Sequence, residues 1–137
     1  MDKEQIKQKL KEVLEQDEKT LFAFLFGSLV RGDDIESSDV DVGVYLRDDQ
    51  LEDKFDEKLR LTNLLSEKLR RDVDVVILNR AAPLMKFEMY INSELILEKD
   101  KGKRLDFLLK AVNEYHDYRP YLEMYNERTL NDSNQKN

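Results

Sequence analysis

The hydrophobic positions of this chain change their period several times, and each change marks a new element. Residues 3–17 carry an apolar side chain on every turn of one face, which predicts an amphipathic helix. Residues 21–26 are a short apolar run, rich in aromatic side chains and closed by Gly27, which predicts a buried strand. Residues 29–32 fit a short helical turn, and residues 33–38 are polar and typical of a turn.

A strict alternation of apolar and polar positions follows in residues 40–46. It predicts a strand with one apolar face, because successive side chains of a strand point to opposite sides. The second face begins with Asp39 and Asp41 and continues through Gly43 and Tyr45. Gly43 is expected to leave room beside the two acids.

Helical and extended patterns continue to alternate in the next part of the chain. Residues 51–69 predict a long helix, with Phe55, Leu59 and Leu65 among the residues of its apolar face. Residues 72–78 predict a third strand. On this strand Asp72, Asp74 and Val76 share one face, opposite Val73, Val75 and Ile77.

The last third of the chain predicts two helices and a short strand. Pro83 suits the first turn of a helix that extends through Tyr90, and residues 94–98 predict an edge strand. A further helix is expected from Arg104, and Pro120 is expected to kink or restart it.

The whole pattern predicts a single domain of the α/β (α+β) class, with a small mixed β-sheet flanked by helices. We expect this domain to span residues 1–130, with a C-terminal helical region at about residues 103–130. Residues 131–137 are polar and are expected to form a disordered tail. A chain of 137 residues is long enough to bury a substantial core.

Composition narrows the classes of function. The net charge is −7, which argues against a general nucleic-acid-binding surface and favours a basic partner, or a nucleotide that arrives with metal. The chain has no cysteine, which excludes disulfides and thiolate chemistry, and His116 is its only histidine, which excludes a multi-histidine zinc site. We found no signal-peptide pattern and no membrane-spanning run, so a cytoplasmic location and no membrane partner are expected.

Three aspartates carry the candidate chemistry. Asp39 and Asp41 lie two positions apart on one strand and therefore point to the same side. Asp74 completes a cluster with them if the two strands pair. Carboxylates concentrated in this way suit divalent metal ions, and Mg²⁺ combines carboxylate ligands with water and substrate phosphate.

The turn at Gly27-Ser28 has a plausible role beside these acids. Gly27 lets the backbone approach a ligand closely, and the Ser28 hydroxyl and nearby amides can donate hydrogen bonds to a polyphosphate. Arg31 could add a charge-assisted contact to a phosphate. It could equally form an ion pair with an aspartate, either Asp39 or one of the two acids at 33 and 34. The pattern indicates a nucleotidyl-transfer site.

Other polar residues have plainer interpretations. Asp72 is interpreted as solvated or as an outer neighbour of the metal site, and His116 as a residue on a helix surface. Four tyrosines recur at helical spacing near the C-terminus and either pack on the domain or form a face for a partner protein. They are Tyr115, Tyr118, Tyr121 and Tyr125.

Gly27-Ser28, ten intervening residues and Asp39-Val40-Asp41 together resemble the signature of the DNA polymerase beta-like nucleotidyltransferase superfamily. The short chain, Arg31-Gly32 and Asp74 resemble its minimal nucleotidyltransferase (MNT) branch. The run Tyr115-His116-Asp117-Tyr118-Arg119-Pro120-Tyr121-Leu122 is similar to the end of MntA-type antitoxins in HEPN/MNT toxin–antitoxin pairs. The resemblance covers residues 20–98 best.

The resemblance implies a polymerase beta-like fold and roles for six residues. Gly27 and Ser28, with Arg31 beside them, would hold the nucleotide phosphates. Asp39, Asp41 and Asp74 would bind two Mg²⁺ ions, and Asp74 would also help to deprotonate the acceptor.

The implied reaction is a protein adenylylation, in which AMP from ATP is placed on a tyrosine of a HEPN ribonuclease toxin and neutralises it. The implied partners are ATP and the toxin, in a hetero-oligomer, without direct nucleic-acid contact. Two alternatives remain open: an antitoxin that acts by complex formation alone, and an enzyme that modifies a small-molecule hydroxyl. A nucleic-acid polymerase is disfavoured, since basic surface and a template-binding domain are missing from the pattern.

Overall fold

The computed structural model describes residues 1–32, 38–47 and 54–135. Within the last range, the description of residues 54, 118, 121, 122 and 125–135 is confined to the backbone. The expected turn at 33–37, the expected start of a helix at 51–53 and the end of the expected tail at 136–137 lie outside the described residues.

Four strands form one mixed sheet in the order β3-β2-β1-β4. The strands are β1 (Thr20–Phe26), β2 (Val40–Leu46), β3 (Val73–Ile77) and β4 (Glu94–Glu98). β1 is antiparallel to both β2 and β4, whereas β2 and β3 are parallel. The predicted mixed sheet is confirmed, and β4 lies at its edge as predicted.

Helices cover both faces of the sheet, at positions close to those that the sequence predicts. The helices are α1 (Lys3–Gln16), α2 (Ser28–Arg31), α3 (Lys54–Leu69), α4 (Pro83–Ile91) and α5 (Lys101–Gln135), with a 3-10 turn at Leu78–Arg80. α5 begins three residues before Arg104 and is continuous through Pro120 instead of restarting there. None of the described helices is long and apolar enough to cross a membrane.

α1 and α3 cover one face of the sheet with an aliphatic core. Leu61, Leu65 and Leu69 of α3 are buried, whereas Phe55 and Leu59 are 69% and 49% exposed. The expectation that Phe55 and Leu59 belong to the buried face is therefore wrong. Leu61 lies two residues, or about 200°, around the helix from Leu59, so contact with the sheet at Leu61 turns Leu59 outward.

α4 and α5 cover the other face with an aromatic core. Phe22 stacks on Tyr45 with ring centroids 4.7 Å apart, and Phe107 of α5 lies within 5.6 Å of Phe22. Farther along α5, the Tyr115 ring stacks on Phe87 of α4 at 3.7 Å. For Tyr115 the packing interpretation is therefore correct, while the side chains of the other three tyrosines are outside the description.

Gly43 serves this second core. A Cβ atom at Gly43 would lie 3.0 Å from Met89 Sδ and 3.1 Å from Leu78 Cδ2. The room that Gly43 leaves is therefore filled by two apolar side chains, and the expectation of free space beside the acids is wrong. The acids lie farther along the same strand face, where the apolar packing ends.

Asn79 extends the hydrogen bonding of the sheet beyond the end of β3. Its side-chain Nδ2 donates to the Leu46 carbonyl and its Oδ1 accepts from the Leu46 amide, both at 2.8 Å. One amide side chain thus pairs with both backbone groups of the last residue of β2.

Candidate active site

Strand register brings two of the three predicted aspartates together. Asp41 of β2 is the parallel partner of Asp74 on β3 and the antiparallel partner of Phe26, the last residue of β1. Side chains of partnered residues on adjacent strands point to the same face, which here is the face covered by α4 and α5. The carboxylates of Asp41 and Asp74 therefore sit side by side, directly next to the turn that follows Phe26.

Gly27 begins that turn with a backbone that other residues rarely adopt. Its φ is +80°, and a Cβ atom built on it would lie 2.0 Å from Asp41 Oδ2. A separation under 3.0 Å is a severe clash, so the Asp41 carboxylate occupies the space that a side chain at this position would need. Glycine is thus required here both by conformation and by the contact with Asp41.

Ser28 is the first residue of α2, which is a single helical turn. The Gly27 carbonyl accepts hydrogen bonds from Val30 N at 3.2 Å and Arg31 N at 3.1 Å, and Gly32 ends the turn with a φ of +84°. Ser28 is half-buried and stands next to the Gly27–Asp41 contact. The predicted helical turn after Gly27 is confirmed.

The electrostatics of Asp41 reflect its crowded position. Burial raises the pKa of Asp41, and the negative charges of Asp74 and Asp39 raise it further, while the positive charge of Arg31 acts in the opposite direction. When neighbouring negative charges destabilise the ionised form of a carboxylate, a cation bound among these carboxylates stabilises all of them. The donor set of carboxylate oxygens also suits a hard divalent ion such as Mg²⁺.

The third predicted ligand, Asp39, lies outside the strand pairing. It is exposed and immediately precedes β2. Within the described parts of the chain, no group of three or more acidic or histidine side chains is arranged to hold a metal ion. Asp39 and Asp74 are both exposed, so their side chains have room to turn toward Asp41. The carboxylate donors suit a divalent cation by their chemistry, but in the described residues only Asp41 and Asp74 are brought together by strand pairing.

Arg71 was missed by sequence reasoning, although it adjoins the acidic pair Asp72 and Asp74. Its Nε and Nη2 both donate to the Ser38 carbonyl, at 3.0 and 2.8 Å. The neighbouring carbonyl of Asp72 accepts from the Val40 amide at 3.0 Å. These contacts fasten the beginning of β3 to the residue that precedes Asp39, whereas the Asp72 side chain is exposed to solvent.

An open groove of about 470 Å³ runs along the acids. Its walls include Gly27, Arg31, Asp41 and Asp74, together with Glu88 of α4. The other lining residues are Phe26, Val76, Leu84 and Met85. Four of the six predicted site residues thus line one cavity, while Ser28 and Asp39 adjoin it.

Arg31 forms an ion pair that the sequence did not suggest. Its Nη1 lies 3.7 Å from Glu88 Oε1, and both residues line the groove. The expected alternatives at positions 33 and 34 fall outside the described residues. Glu88 could not be found from motif spacing, since it reaches the site only through the packing of α4 on the sheet. Arg31 remains half-exposed and carries its charge beside Asp41.

Residues 8–102 match the family "Polymerase beta, Nucleotidyltransferase". The match covers well over half of the chain, and this protein belongs to the polymerase beta nucleotidyltransferase family. No curated protein sequence matches the chain.

Solved structures of toxin–antitoxin complexes have the same fold. A chain from a toxin–antitoxin crystal structure with AMP-PNP is 20% identical, with a TM-score of 0.76 over 90% of this chain and 98% of that one. A chain from the complex of MntA and HepT is 18% identical, with a TM-score of 0.71 over 93% and 99%.

A third similar structure contains the tri-AMPylated HEPN toxin of Shewanella oneidensis with its MNT antitoxin. The similar chain is 18% identical, with a TM-score of 0.72 over 93% of this chain and 98% of that one. At these identities the similarity establishes a shared fold along nearly the whole length of both chains.

Proposed function

We propose that this protein is a Mg²⁺-dependent adenylyltransferase that transfers AMP from ATP to a tyrosine hydroxyl of a HEPN-type toxin and thereby neutralises the toxin. The observation that carries the proposal is the contact of Asp41 with Gly27 and its pairing with Asp74, all on the wall of one open groove. The fold shared with chains from AMP-PNP-bound and AMPylated toxin–antitoxin complexes supports the choice of nucleotide and partner.

In this proposal Asp39, Asp41 and Asp74 hold two Mg²⁺ ions, which would supply charge neutralisation for a bound triphosphate. The raised pKa of Asp41 supports the assignment, because like charges that destabilise the free carboxylates favour a bound cation. Asp39 and Asp74 would reach the ions by turning from their exposed positions. The two hydrogen bonds from the Arg71 guanidinium to the Ser38 carbonyl hold the residue before Asp39 against the start of β3.

The turn after β1 is assigned to the triphosphate. At Gly27 the backbone has no side chain in the way, and the Ser28 hydroxyl beside it can donate a hydrogen bond to a phosphate oxygen. Arg31 adds a positive charge at the groove wall, and its contact with Glu88 can give way to a phosphate, since both side chains are partly exposed.

The proposed AMP transfer is a displacement at the α-phosphorus of ATP. The acceptor hydroxyl oxygen forms a bond to the α-phosphorus, the bond from that phosphorus to the bridging oxygen breaks, and pyrophosphate leaves. Asp74 accepts the hydroxyl proton, because it is the exposed member of the pair and lines the groove. AMP adds negative charge and bulk to the toxin, which would oppose RNA binding in the cytoplasm.

Labelled ATP tests the reaction directly. With a HEPN-type toxin as acceptor, label at the α-phosphate should appear on the toxin, and label at the γ-phosphate should not. Asp41→Asn should reduce transfer at least about 100-fold, the loss expected when several kcal/mol of charge stabilisation is removed.

Asp72→Asn is the matched control. It removes an exposed carboxylate from the same acidic segment and should keep wild-type transfer. Equal labelling by Asp41→Asn and wild type would refute the metal role. A toxin that is neutralised without gaining label would instead support an antitoxin acting by complex formation alone.

A further inference from the structure

The groove that contains Asp41 and Asp74 has an apolar end. This end is formed by Val76 of β3 together with Leu84 and Met85 from the first turn of α4. Leu84 is 58% exposed, and Val76 and Met85 are each partly exposed. Apolar side chains that stand open at the wall of a groove offer a binding surface to an apolar group of a ligand.

The path of α4 separates this apolar end from the charged part of the groove. α4 follows β3 in the chain and leads to β4, the opposite edge of the sheet. Leu84 and Met85 belong to its first turn, whereas Glu88, one turn later, forms the ion pair with Arg31 beyond the end of β1. Phe26 also lines the groove but is 7% exposed and offers little surface. The open apolar surface is therefore concentrated on the side of β3.

Strand order arranges the groups of the proposed reaction in a row. Gly27 follows β1, while Asp41 of β2 and Asp74 of β3 are strand partners. In a phosphoryl displacement the attacking and leaving oxygens lie roughly in line, on opposite sides of the phosphorus. With the triphosphate at the turn after β1, the acceptor hydroxyl approaches from the side of β3. The apolar end of the groove lies on that same side.

Val76 and Asp74 point to the same face of β3, because they are two residues apart on one strand. Their separation along the strand is about 6.5 Å. A tyrosine side chain spans this separation, so a tyrosine with its hydroxyl at the Asp74 carboxylate brings its ring to Val76 and to the first turn of α4. An aliphatic hydroxyl, such as that of serine, leaves these apolar side chains in contact with water.

We propose that the apolar end of the groove binds the aromatic ring of the acceptor and thereby selects a tyrosine over an aliphatic hydroxyl. The proposal rests on the proposed function, since it states which hydroxyl the site accepts. Burial of the ring against Val76, Leu84 and Met85 holds the hydroxyl at Asp74. The Met85 thioether adapts its shape to a ring and makes favourable sulfur–aromatic contacts.

Nuclear Overhauser effects test this ring site without relying on catalysis. In a complex with a HEPN-type toxin that is protonated only at its tyrosine rings, the methyl groups of Leu84 and Met85 should show cross-peaks to ring protons. A complex that forms without these cross-peaks overturns the proposal, whatever the labelling result. Cross-peaks from adenine protons to the same methyl groups, with ATP and Mg²⁺ alone, would assign the apolar end to the nucleobase and overturn it as well.

Leu84→Ser tests the ring site kinetically. It removes the most exposed apolar side chain of the groove and should lower kcat/KM for the toxin roughly tenfold, with KM for ATP unchanged. Leu109→Ser is the matched control, since Leu109 is 60% exposed on α5 and does not line the groove. An unchanged kcat/KM for Leu84→Ser, with normal labelling by the wild type, refutes the ring site but leaves the proposed function standing.

The preference for tyrosine distinguishes a selective role of Leu84 from a merely structural one. Leu84→Ser should label the toxin tyrosine more slowly than the wild type does. A toxin with serine in place of that tyrosine should be labelled equally slowly by both proteins. Equal losses with both toxins would show a structural defect and overturn the proposal.

If the wild type labels no toxin, the proposed function fails. Cross-peaks from a toxin tyrosine to Leu84 and Met85 in the same complex would still uphold the ring site. The two proposals therefore succeed or fail on separate measurements.

Discussion

The two faces of the sheet differ in what their residues do. The face under α1 and α3 is closed by aliphatic side chains, and the 0% exposure of Leu65 and Val75 shows that its packing is complete. The face under α4 and α5 is packed around Phe22 and Phe107 at one end, but at the other it opens into the groove that contains Asp41. One face stabilises the domain, whereas the other stops short of closing and leaves room for a ligand.

The pKa values of carboxylates near the two faces of the sheet differ in the same way. Beside α1 and α3, burial would raise the pKa of Asp17, but hydrogen bonds from Thr20 and Arg60 outweigh it and hold the pKa low. Hydrogen bonds and charge from Lys3 and Lys7 likewise lower the pKa of Glu94. The pKa of Asp41 is instead raised. Acids with structural partners favour their charged form, while the acid of the open groove is kept among like charges.

Leu65→Ala should give the largest effect and tests the structural face. Removing a fully buried leucine should lower the free energy of unfolding by about 2–5 kcal/mol, through lost burial and the cavity that remains. Transfer per folded molecule should stay at the wild-type value. Denaturant unfolding and labelling assays measure the two quantities.

The neighbouring Leu64 is 42% exposed and provides the control, since Leu64→Ala should change stability by about 0.5 kcal/mol or less. A large loss of specific activity in Leu65→Ala would show that the two faces are not separable.

Gly27→Ala tests the open face. The new methyl group would overlap the Asp41 carboxylate and displace it, and a displacement of about 1 Å costs roughly 100-fold in rate. Gly32→Ala has nearly the same positive φ, but its Cβ meets nothing within 4 Å. It should cost only about 1–2 kcal/mol of backbone strain and keep transfer.

Labelling rates corrected for the folded fraction measure the difference between the two glycine variants. Equal losses in both would mean that strain, and not the Asp41 contact, explains the role of Gly27.

Arg71→Ala tests the contact between the start of β3, which carries Asp74, and Ser38, which precedes Asp39. Loss of the two hydrogen bonds from the Arg71 guanidinium to the Ser38 carbonyl should weaken the positioning of Asp39. The rate of AMP transfer should fall roughly tenfold, mainly in kcat at saturating ATP. Arg70→Ala removes the same charge from an exposed neighbour and should have little effect. Recovery with Arg71→Lys would be partial, because an ammonium group lacks the planar fork.

The smallest effect concerns acid stability on the structural side. The pKa of Asp17 is lower in the folded protein than its usual 3.8, so its stabilising contribution is present above that pH and is lost as pH falls through the lower, folded value. Asp17→Asn should therefore be less stable than the wild type at neutral pH, by at most about 1 kcal/mol, since Arg60 is partly exposed.

The stability difference for Asp17→Asn should shrink below about pH 4, and chemical denaturation at a series of pH values measures it. A difference that stays constant down to pH 2 would contradict the ionic contribution.

Local pattern was sufficient to predict the strands and most helices. Alternation in residues 40–46 located β2 correctly, and Pro83 marked the start of α4. The family signature located Gly27 and Asp41, because their contact depends on a turn and a strand that both have strong local signals. The strand and helix predictions needed only the hydrophobic period of the chain, whereas the pairing of Gly27 with Asp41 also needed the family signature.

Contacts between distant segments could not be predicted in this way. The apolar face of α3 was misjudged at Leu59, since both Leu59 and Leu61 fit a helical period and only the sheet selects between them. The ion pair of Arg31 with Glu88 depends on how α4 crosses the sheet. The space at Gly43 was assigned to the acids, but Leu78 and Met89 approach from outside the strand and fill it.

Asn79 has a consequence for where the groove can exist. The Asn79 side chain hydrogen-bonds to both the N–H and the C=O of Leu46, the last residue of β2. β3 can therefore end at Ile77 without leaving these two backbone groups of Leu46 unpaired. The chain then leaves the sheet after Ile77 and returns as α4, which brings Glu88 to the wall of the groove that contains Asp41 and Asp74. The side-chain amide of Asn79 thus allows the strand that carries Asp74 to end where the chain turns toward α4 and the groove wall.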